Sequence, residues 1–184
     1  MTAPHVLMLT GAPGVGKTTV ICRLAALLAP RALGGFYTAE IRERGTRRGF
    51  RLHGFDGSEC LLAHVDLPGP PRVSKYGVDV AALDASATTL LAPQPEVAIY
   101  LVDEVGKMEC FSERFIVAMR ALLDSGKPVV ATVARTGAGF IEEVKRRNDV
   151  EIREVTRSNR DRLPAEVAAW LATHDVTAAS GRKA

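Results

Sequence analysis

Short apolar runs alternate with amphipathic stretches along most of this chain. HVLMLT (5–10), VAIYLV (97–102) and PVVATVA (128–134) are typical of strands buried on both faces, and VEIREV (150–155) predicts another strand. Apolar residues at helical spacing predict helices at 17–29, 79–92, 111–126, 138–147 and 163–174. This alternation predicts an α/β fold, with a mostly parallel sheet and helices on both faces.

Local signals place several helix ends. Pro30 stops the first helix, Ser112 is a candidate N-cap, Gly126 is a candidate stop, and Pro164 lies near the first turn of the last helix. We therefore expect one domain over residues 1–175. Residues 176–184 are small and polar, and we expect a disordered tail there.

A different pattern fills residues 35–65. GFYTAEI (35–41) and GFRLHGF (49–55) resemble strands joined by RERGTRR, whose glycine suits a hairpin turn. DGSE (56–59) predicts a second turn, CLLAHV (60–65) a third strand, and LPGPPR (67–72) a loop. We expect a small antiparallel meander, inserted after the first helix and close to the glycine-rich segment 11–18.

Composition excludes some functions and leaves others open. In 184 residues, 47% are hydrophobic and 24% charged, and the net charge of +3 does not by itself require a nucleic acid or an anionic membrane. Three separated cysteines indicate neither a disulfide framework nor a zinc site. With no signal-peptide or membrane-span pattern, we expect a cytoplasmic protein. Its oligomeric state is open, with a monomer slightly favoured.

The strongest motif is GAPGVGKT (11–18), which matches the phosphate-binding loop G-x-x-x-x-G-K-[ST] in full. Its glycines let successive backbone N–H groups turn inward around anionic oxygens, and the next helix adds the positive end of its dipole. Lys17 is predicted to bridge the β- and γ-phosphates, and the Thr18 hydroxyl to hold Mg²⁺. A strand before and a helix after favour a nucleotide site over a glycine-rich turn.

The second motif, VDEVGKME (102–109), follows a buried strand. Asp103 is predicted to reach the Mg²⁺ held by Thr18, which is the Walker B role. Glu104 is a candidate general base for an attacking water, and the alternative is that it only caps or solvates the loop. The Asp-Glu pair also suggests that strand 128–134 lies between the phosphate-loop strand and the Walker B strand.

Two charged residues follow in the same motif. Lys107 is a candidate to neutralise charge on the γ-phosphate, as an arginine finger does, or it is a surface lysine. Glu109 either orients Lys107 or is solvated. The sequence does not decide between these roles.

Five arginines within ten residues of the predicted hairpin have three interpretations: Arg42, Arg44, Arg47, Arg48 and Arg51. They are solvated turn residues, or one reaches the γ-phosphate, or the cluster contacts nucleic acid. The first is favoured, and Arg42 is the preferred candidate for a phosphate contact. Aromatic residues are only 5% of the chain, which argues against a stacking surface for nucleic acid.

TRSNRD (156–161) follows the last predicted strand, at the edge where open parallel sheets bind ligands. Asn159 is a candidate to hydrogen-bond a base, and Arg160 to stack on it. The alternative is a helix cap beside a surface arginine. Recognition by stacking would tolerate any base.

Together these segments resemble a known family. GAPGVGKTT, GFYTAEIRERGTRRGF, YGVD (76–79), VDEVGKME and FIEEVKRRNDVEIREVTRSNRD (140–161) occur in an order similar to the small thermophile-type nucleoside-triphosphatases, relatives of the cancer-related nucleoside-triphosphatase of animals. The resemblance implies a RecA-like P-loop domain that hydrolyses NTPs to NDP and phosphate with Mg²⁺ and broad base tolerance. Cys110 departs from the leucine expected there, and we interpret it as a packing residue.

The candidate residues form three groups. Glu104, Lys17 and Lys107 are candidates for catalysis, and Thr18 and Asp103 for the metal. The nucleotide-binding candidates are Gly11, Ala12, Pro13, Gly14, Val15, Gly16, Lys17, Thr18, Thr19, Asp103, Glu104, Val105, Gly106, Lys107, Met108, Glu109, Asn159 and Arg160.

Hydrolysis of NTPs is the first functional hypothesis. The second is a kinase that transfers the γ-phosphate to a small molecule or nucleotide bound near residues 35–65. The third is a nucleotide-dependent switch or ATPase that acts with nucleic acid.

Overall fold

The computed structural model of the protein describes residues 5–180, with side chains up to residue 173. The strands are β1 Val6–Thr10, β2 Leu33–Glu43, β3 Thr46–Gly54, β4 Glu59–His64, β5 Arg72–Val73, β6 Tyr76–Val78, β7 Ile99–Val105, β8 Val129–Val133 and β9 Val150–Glu154. The helices are α1 Lys17–Leu28, α2 Val80–Leu90, α3 Glu113–Asp124, α4 Phe140–Lys145 and α5 Leu163–Ser180, with a 3₁₀ turn at Glu109–Phe111. Each predicted strand and helix is present.

The strands form one sheet in the order β5-β6-β4-β3-β2-β7-β8-β1-β9. From β2 to β9 the neighbouring strands run parallel, and from β5 to β2 they run antiparallel. We call these the parallel half and the meander, and β2 belongs to both. The predicted parallel core and the predicted position of β8 between β1 and β7 are confirmed.

The predicted antiparallel meander follows the first helix, and its first strand, β2, is continuous with the parallel core. Its first residues, Leu33 to Phe36, pair in parallel with Ile99 to Val102 of β7. From Phe36 to Glu43 the same strand pairs antiparallel with β3. The short strands β5 and β6, which were not predicted, extend the meander by two more strands.

Helices cover both faces of the sheet, as predicted. In β1, Val6 and Met8 pack with α2, α3 and α4, whereas Leu7 and Leu9 pack with α1 and α5. Alternate residues of a strand point to opposite faces, so a run that is apolar throughout fills two cores at once. This explains why the central strands show no polar alternation.

The predicted helix ends are mostly correct. Ser112 accepts a hydrogen bond from the Phe115 N–H at 2.8 Å, which makes it the N-cap of α3. Asp79 caps α2 in the same way through the Ala82 N–H, and the sequence analysis did not identify it. Helix α5 continues past the predicted end at residue 174 to Ser180. Residues 181–184 of the predicted tail lie outside the described residues.

Between residues 5 and 180, no helix combines the length and the apolar character needed to cross a bilayer.

Candidate nucleotide site

The phosphate loop occupies the connection from β1 to α1, and two of its glycines are required by geometry. Gly16 precedes α1 with φ +110°, in a backbone region that favours glycine. A Cβ at Gly11 would lie 2.6 Å from the Val155 carbonyl oxygen, so no side chain fits there. In the described structure no side chain caps the start of α1. Its first N–H groups are therefore free to donate to an anion.

Asp103 lies near the carboxyl end of β7 and is only 2% exposed. Its Oδ2 accepts a hydrogen bond from Thr18 Oγ1 at 2.6 Å, and its Oδ1 accepts one from Thr132 Oγ1 at 2.6 Å. Thr38 Oγ1 donates a longer bond, 3.4 Å, to Oδ2. Hydroxyls from α1, β8 and β2 thus converge on one buried carboxylate at the edge where parallel sheets bind ligands.

The Thr18 and Asp103 pair fits Mg²⁺. Mg²⁺ prefers hard oxygen ligands and is commonly held by one or two protein groups together with substrate phosphates and water. The pair supplies a hydroxyl and a carboxylate whose oxygens lie 2.6 Å apart. Among the described residues no group of three or more His, Cys, Asp or Glu side chains could hold a metal, so the substrate would complete the coordination.

Lys17 and Glu104 form an ion pair beside this carboxylate. Lys17 Nζ lies 3.3 Å from Glu104 Oε2 and donates to the Gly11 carbonyl oxygen at 3.3 Å. Burial raises the pKa of Glu104, Lys17 lowers it, and the charge of Asp103 raises it again. The lysine predicted to meet the phosphates thus forms an ion pair with the predicted base.

Glu109 and Lys107 have opposite environments. Lys107 is exposed, whereas Glu109 is 5% exposed and lies in the 3₁₀ turn after β7. Desolvation is the main cause that raises the pKa of Glu109 to about 8, and the charges of Glu104 and Asp103 add to it. No ion pair joins Glu109 to Lys107 among residues 5–180. The expectation that Glu109 is solvated or orients Lys107 is therefore wrong, because its carboxyl is buried towards Glu104.

The arginine cluster is not brought to the site. Arg42 donates to Glu40 Oε2 at 2.8 Å and to the Gly45 carbonyl oxygen at 3.0 Å. It lies four residues beyond Thr38 on β2, roughly 13 Å along an extended strand. Other arginines of the cluster pair with acidic neighbours in the meander: Arg47 with Glu40, Arg48 with Glu43 and Asp66, and Arg51 with Glu59.

The two base-contact candidates differ in their contacts. Asn159 Oδ1 accepts a hydrogen bond from the Thr156 N–H at 2.8 Å, and its Nδ2 donates one to the Glu154 carbonyl oxygen at 2.8 Å. Both ends of the amide therefore bond to the backbone of the segment after β9. Arg160 instead donates to the Val15 carbonyl oxygen at 3.2 Å. The structure brings Arg160, and not the Asn159 amide, against the phosphate loop.

A cleft of about 240 Å³ lies between the phosphate loop and the segment after β9. Its lining residues are Ala12, Pro13, Gly14, Val15, Glu154, Val155, Thr156 and Arg157. It lies on the side of β1 opposite to β8 and β7, away from Asp103.

Sequence reasoning missed Thr132 and Thr38. Thr132 is completely buried in β8, an otherwise apolar strand, and a lone polar residue in such a run is a usable signal. Thr38 belongs to the GFYT segment but received no role, because nothing local shows that β2 passes Asp103.

Cys110 packs against the core, as expected. Burial, followed by the charge of Glu109, raises the pKa of its thiol to about 12. A thiol that stays protonated is a poor nucleophile, so packing is its role in this environment.

The NTPase family model matches residues 6–168 of the chain. This chain belongs to the NTPase family. Within it, the nucleoside-triphosphatase THEP1 of a Thermotoga species (strain RQ2) is 43% identical over 166 residues, covering 90% of this chain and 94% of that protein. The human cancer-related nucleoside-triphosphatase is 35% identical over 181 residues, covering 90% of this chain and 95% of that protein.

Solved structures in the NTPase family share the fold. The crystal structure of THEP1 from Aquifex aeolicus superposes with a TM-score of 0.81 at 29% identity, covering 90% of this chain and 98% of that one. The solution structure of a human cancer-related nucleoside triphosphatase gives a TM-score of 0.77 at 33% identity, covering 91% and 97%. The predicted resemblance and the predicted fold class are confirmed.

Proposed function

We propose that this protein hydrolyses nucleoside triphosphates to nucleoside diphosphates and phosphate with Mg²⁺. Its membership of the NTPase family and the activity named for its relatives support hydrolysis. The observation that carries the assignment is Glu104, a carboxylate next to Asp103 whose Oε2 lies 3.3 Å from Lys17 Nζ. A base beside the metal position favours attack by water.

The chain's own residues can bind and orient the triphosphate. The loop N–H groups and Lys17 hold the β- and γ-phosphate oxygens. Mg²⁺, held by Thr18 and Asp103, would stabilise negative charge on those oxygens. The Thr132 hydroxyl keeps Asp103 in place through its 2.6 Å hydrogen bond.

Glu104 activates the water. Phosphate oxygens carry more charge than one carboxylate, so bound substrate draws Lys17 away from Glu104. The freed carboxylate accepts a proton from water while the water oxygen bonds to the γ-phosphorus and the bond to the departing diphosphate breaks. Desolvation raises the pKa of Glu104, which makes the carboxylate a stronger base.

Broad tolerance of the base is part of the same proposal. Arg160 donates to the carbonyl oxygen of Val15, and Val15 also lines the 240 Å³ cleft, so a base extended from the phosphate loop can reach both. An arginine plane stacks on any base, because every base has a π-face. The Asn159 amide already makes hydrogen bonds to the backbone of Thr156 and Glu154, which supports stacking over hydrogen-bond recognition of one base.

Location and assembly stay predictions from the sequence: a cytoplasmic protein, with a monomer slightly favoured. A role with nucleic acid is not favoured. Four arginines of the meander, which could otherwise meet a phosphate backbone, pair with acidic side chains of the chain itself.

The test is phosphate release from ATP and other NTPs with Mg²⁺, compared between the unmodified protein and Glu104→Gln. We expect steady release without an added acceptor and a loss of about 10²–10⁴-fold in kcat for Glu104→Gln. Nucleotide affinity, measured by titration with a fluorescent analogue, should be retained.

Glu59→Gln is the matched control, because it makes the same change on an exposed side chain of the meander. Its hydrolysis should equal that of the unmodified protein. Turnover only after a phosphate acceptor is added would overturn hydrolysis in favour of the kinase hypothesis, and turnover only with RNA or DNA would favour the third hypothesis.

A further inference from the structure

The buried carboxyl of Glu109 has no role in the mechanism above. It lies in the 3₁₀ turn after β7 and is 5% exposed. Burying a carboxyl costs free energy unless it is neutral or well paired. The backbone N–H groups of Gly106 and Glu109 hydrogen-bond to this carboxyl, and no lysine or arginine among the described side chains forms an ion pair with it. A carboxyl in such surroundings, so close to a site, needs a chemical explanation.

Gly106 brings this carboxyl near Glu104. A Cβ placed on Gly106 would lie 2.9 Å from Glu104 Oε1 and 2.9 Å from Glu109 Oε2. The two oxygens are therefore no more than twice that distance apart. One bridging water spans about 5.5 Å between two oxygens, so this separation fits a hydrogen bond made directly or through one water.

The protonation state makes Glu109 a donor. Its pKa is raised to about 8, chiefly by desolvation, so it carries its proton at neutral pH. A protonated carboxyl donates one O–H hydrogen bond, whereas an ionised one only accepts. The carboxylate of Glu104, which faces it across Gly106, is an acceptor for that proton.

Glu104 needs such a donor once nucleotide is bound. In the described part of the chain, Lys17 is the one side chain that forms an ion pair with Glu104, at 3.3 Å. In the mechanism proposed above, Lys17 leaves Glu104 and forms its ion pair with the phosphates. Glu104 would then lose the group that fixes its orientation at the moment when it must face the water.

We propose that Glu109 is a positioning residue that holds Glu104 by donating its carboxyl hydrogen across Gly106, directly or through one water. This inference rests on the proposed function. Glu109 acts through Glu104 and does not itself touch the phosphates. A lost hydrogen bond would let the Glu104 carboxylate rotate, and small misplacements of catalytic groups are costly.

The test compares kcat, KM and nucleotide affinity for Glu109→Gln and Glu109→Leu. Leucine removes the donor, and we expect kcat to fall by at least about 10-fold while KM and affinity change by less than about twofold. Glutamine keeps a neutral donor of the same shape, and we expect kcat within about threefold of the unmodified protein. The exposed Glu113→Gln, four residues along the chain, is the matched control and should change nothing.

Two further variants separate positioning from folding. Gly106→Ala leaves Glu109 intact but adds a methyl that meets both carboxyl oxygens, so kcat should also fall. In a Glu104→Gln background, Glu109→Leu should reduce single-turnover hydrolysis by less than about twofold, since its partner is already lost.

Several results would overturn the inference. The first is a kcat for Glu109→Leu or Gly106→Ala within about twofold of the unmodified protein. The second is a kcat for Glu109→Gln as low as that for Glu109→Leu. The third is a single-turnover rate that Glu109→Leu lowers as much in the Glu104→Gln background as in the unmodified protein. These outcomes with normal turnover by the unmodified protein would leave the proposed hydrolysis standing. No turnover by the unmodified protein would overturn both proposals.

Discussion

The two halves of the sheet use polar residues in opposite ways. In the parallel half, every residue of β8 is buried, and the polar side chains near the strand ends contact one another around Asp103. In the meander, β2 and β3 carry exposed charges that pair across the strands, such as Arg47 with Glu40. The candidate site consists of buried polar side chains that contact one another, whereas the charged side chains of the meander form ion pairs at the surface.

This difference shows that charge density is a poor guide to the site. The meander has five arginines within ten residues, whereas the proposed phosphate contacts of the parallel half are Lys17 and a few backbone N–H groups. A buried ion or hydrogen bond is less screened by solvent and is therefore worth more than an exposed pair. The predictions below test this contrast.

The largest effect on nucleotide affinity is expected for Lys17→Ala. Lys17 is the proposed phosphate-binding cation of the parallel half, and a lost charged hydrogen bond of about 3 kcal/mol equals about 100-fold in affinity. Titration with a fluorescent nucleotide measures the change. Unchanged affinity would remove the phosphate role of Lys17.

Leu101→Ala tests the parallel half as a packing unit. Leu101 is completely buried in β7, and truncation of such a side chain costs about 2–5 kcal/mol of unfolding free energy. Arg48→Ala, which removes a partly exposed partner of Asp66 in the meander, should cost less than about 1 kcal/mol. Urea unfolding of both variants measures the difference. Equal costs would contradict the contrast between the halves.

The smallest effect is expected for Arg42→Ala. Its side chain contacts Glu40 and the Gly45 carbonyl oxygen, and it is 54% exposed. We expect kcat and KM for NTP hydrolysis to stay within about twofold, because surface pairs contribute little. A 10-fold or greater decrease in steady-state phosphate release would contradict this expectation and support a contact between Arg42 and the phosphates.

Local patterns in the sequence predict much of the parallel half. The phosphate loop, the acidic pair and the position of β8 all follow from motifs whose spacing has a physical cause. These features depend on short stretches of chain, where residue type and backbone geometry are tightly linked.

The missing features depend on distant parts of the chain. Thr38 and Thr132 are separated from Asp103 by 65 and 29 residues, and no local pattern shows that they share one carboxylate. The sequence also does not distinguish two uses of the Asn159 amide. An asparagine at this position can hydrogen-bond a base or the backbone of its own loop, and the structure shows the second. The burial of Glu109 depends on how the turn after β7 folds back, which its neighbours in sequence do not reveal.

The continuity of β2 determines where the chain tolerates a change of length. Phe36 is its last residue paired with β7, and Thr38, two residues later, reaches Asp103. Deleting one residue between them would turn every later side chain of the strand to the opposite face and withdraw the Thr38 hydroxyl. Lengthening the turn at Arg44 and Gly45 leaves both contacts in place. Insertions and fused tags are therefore best placed at that turn.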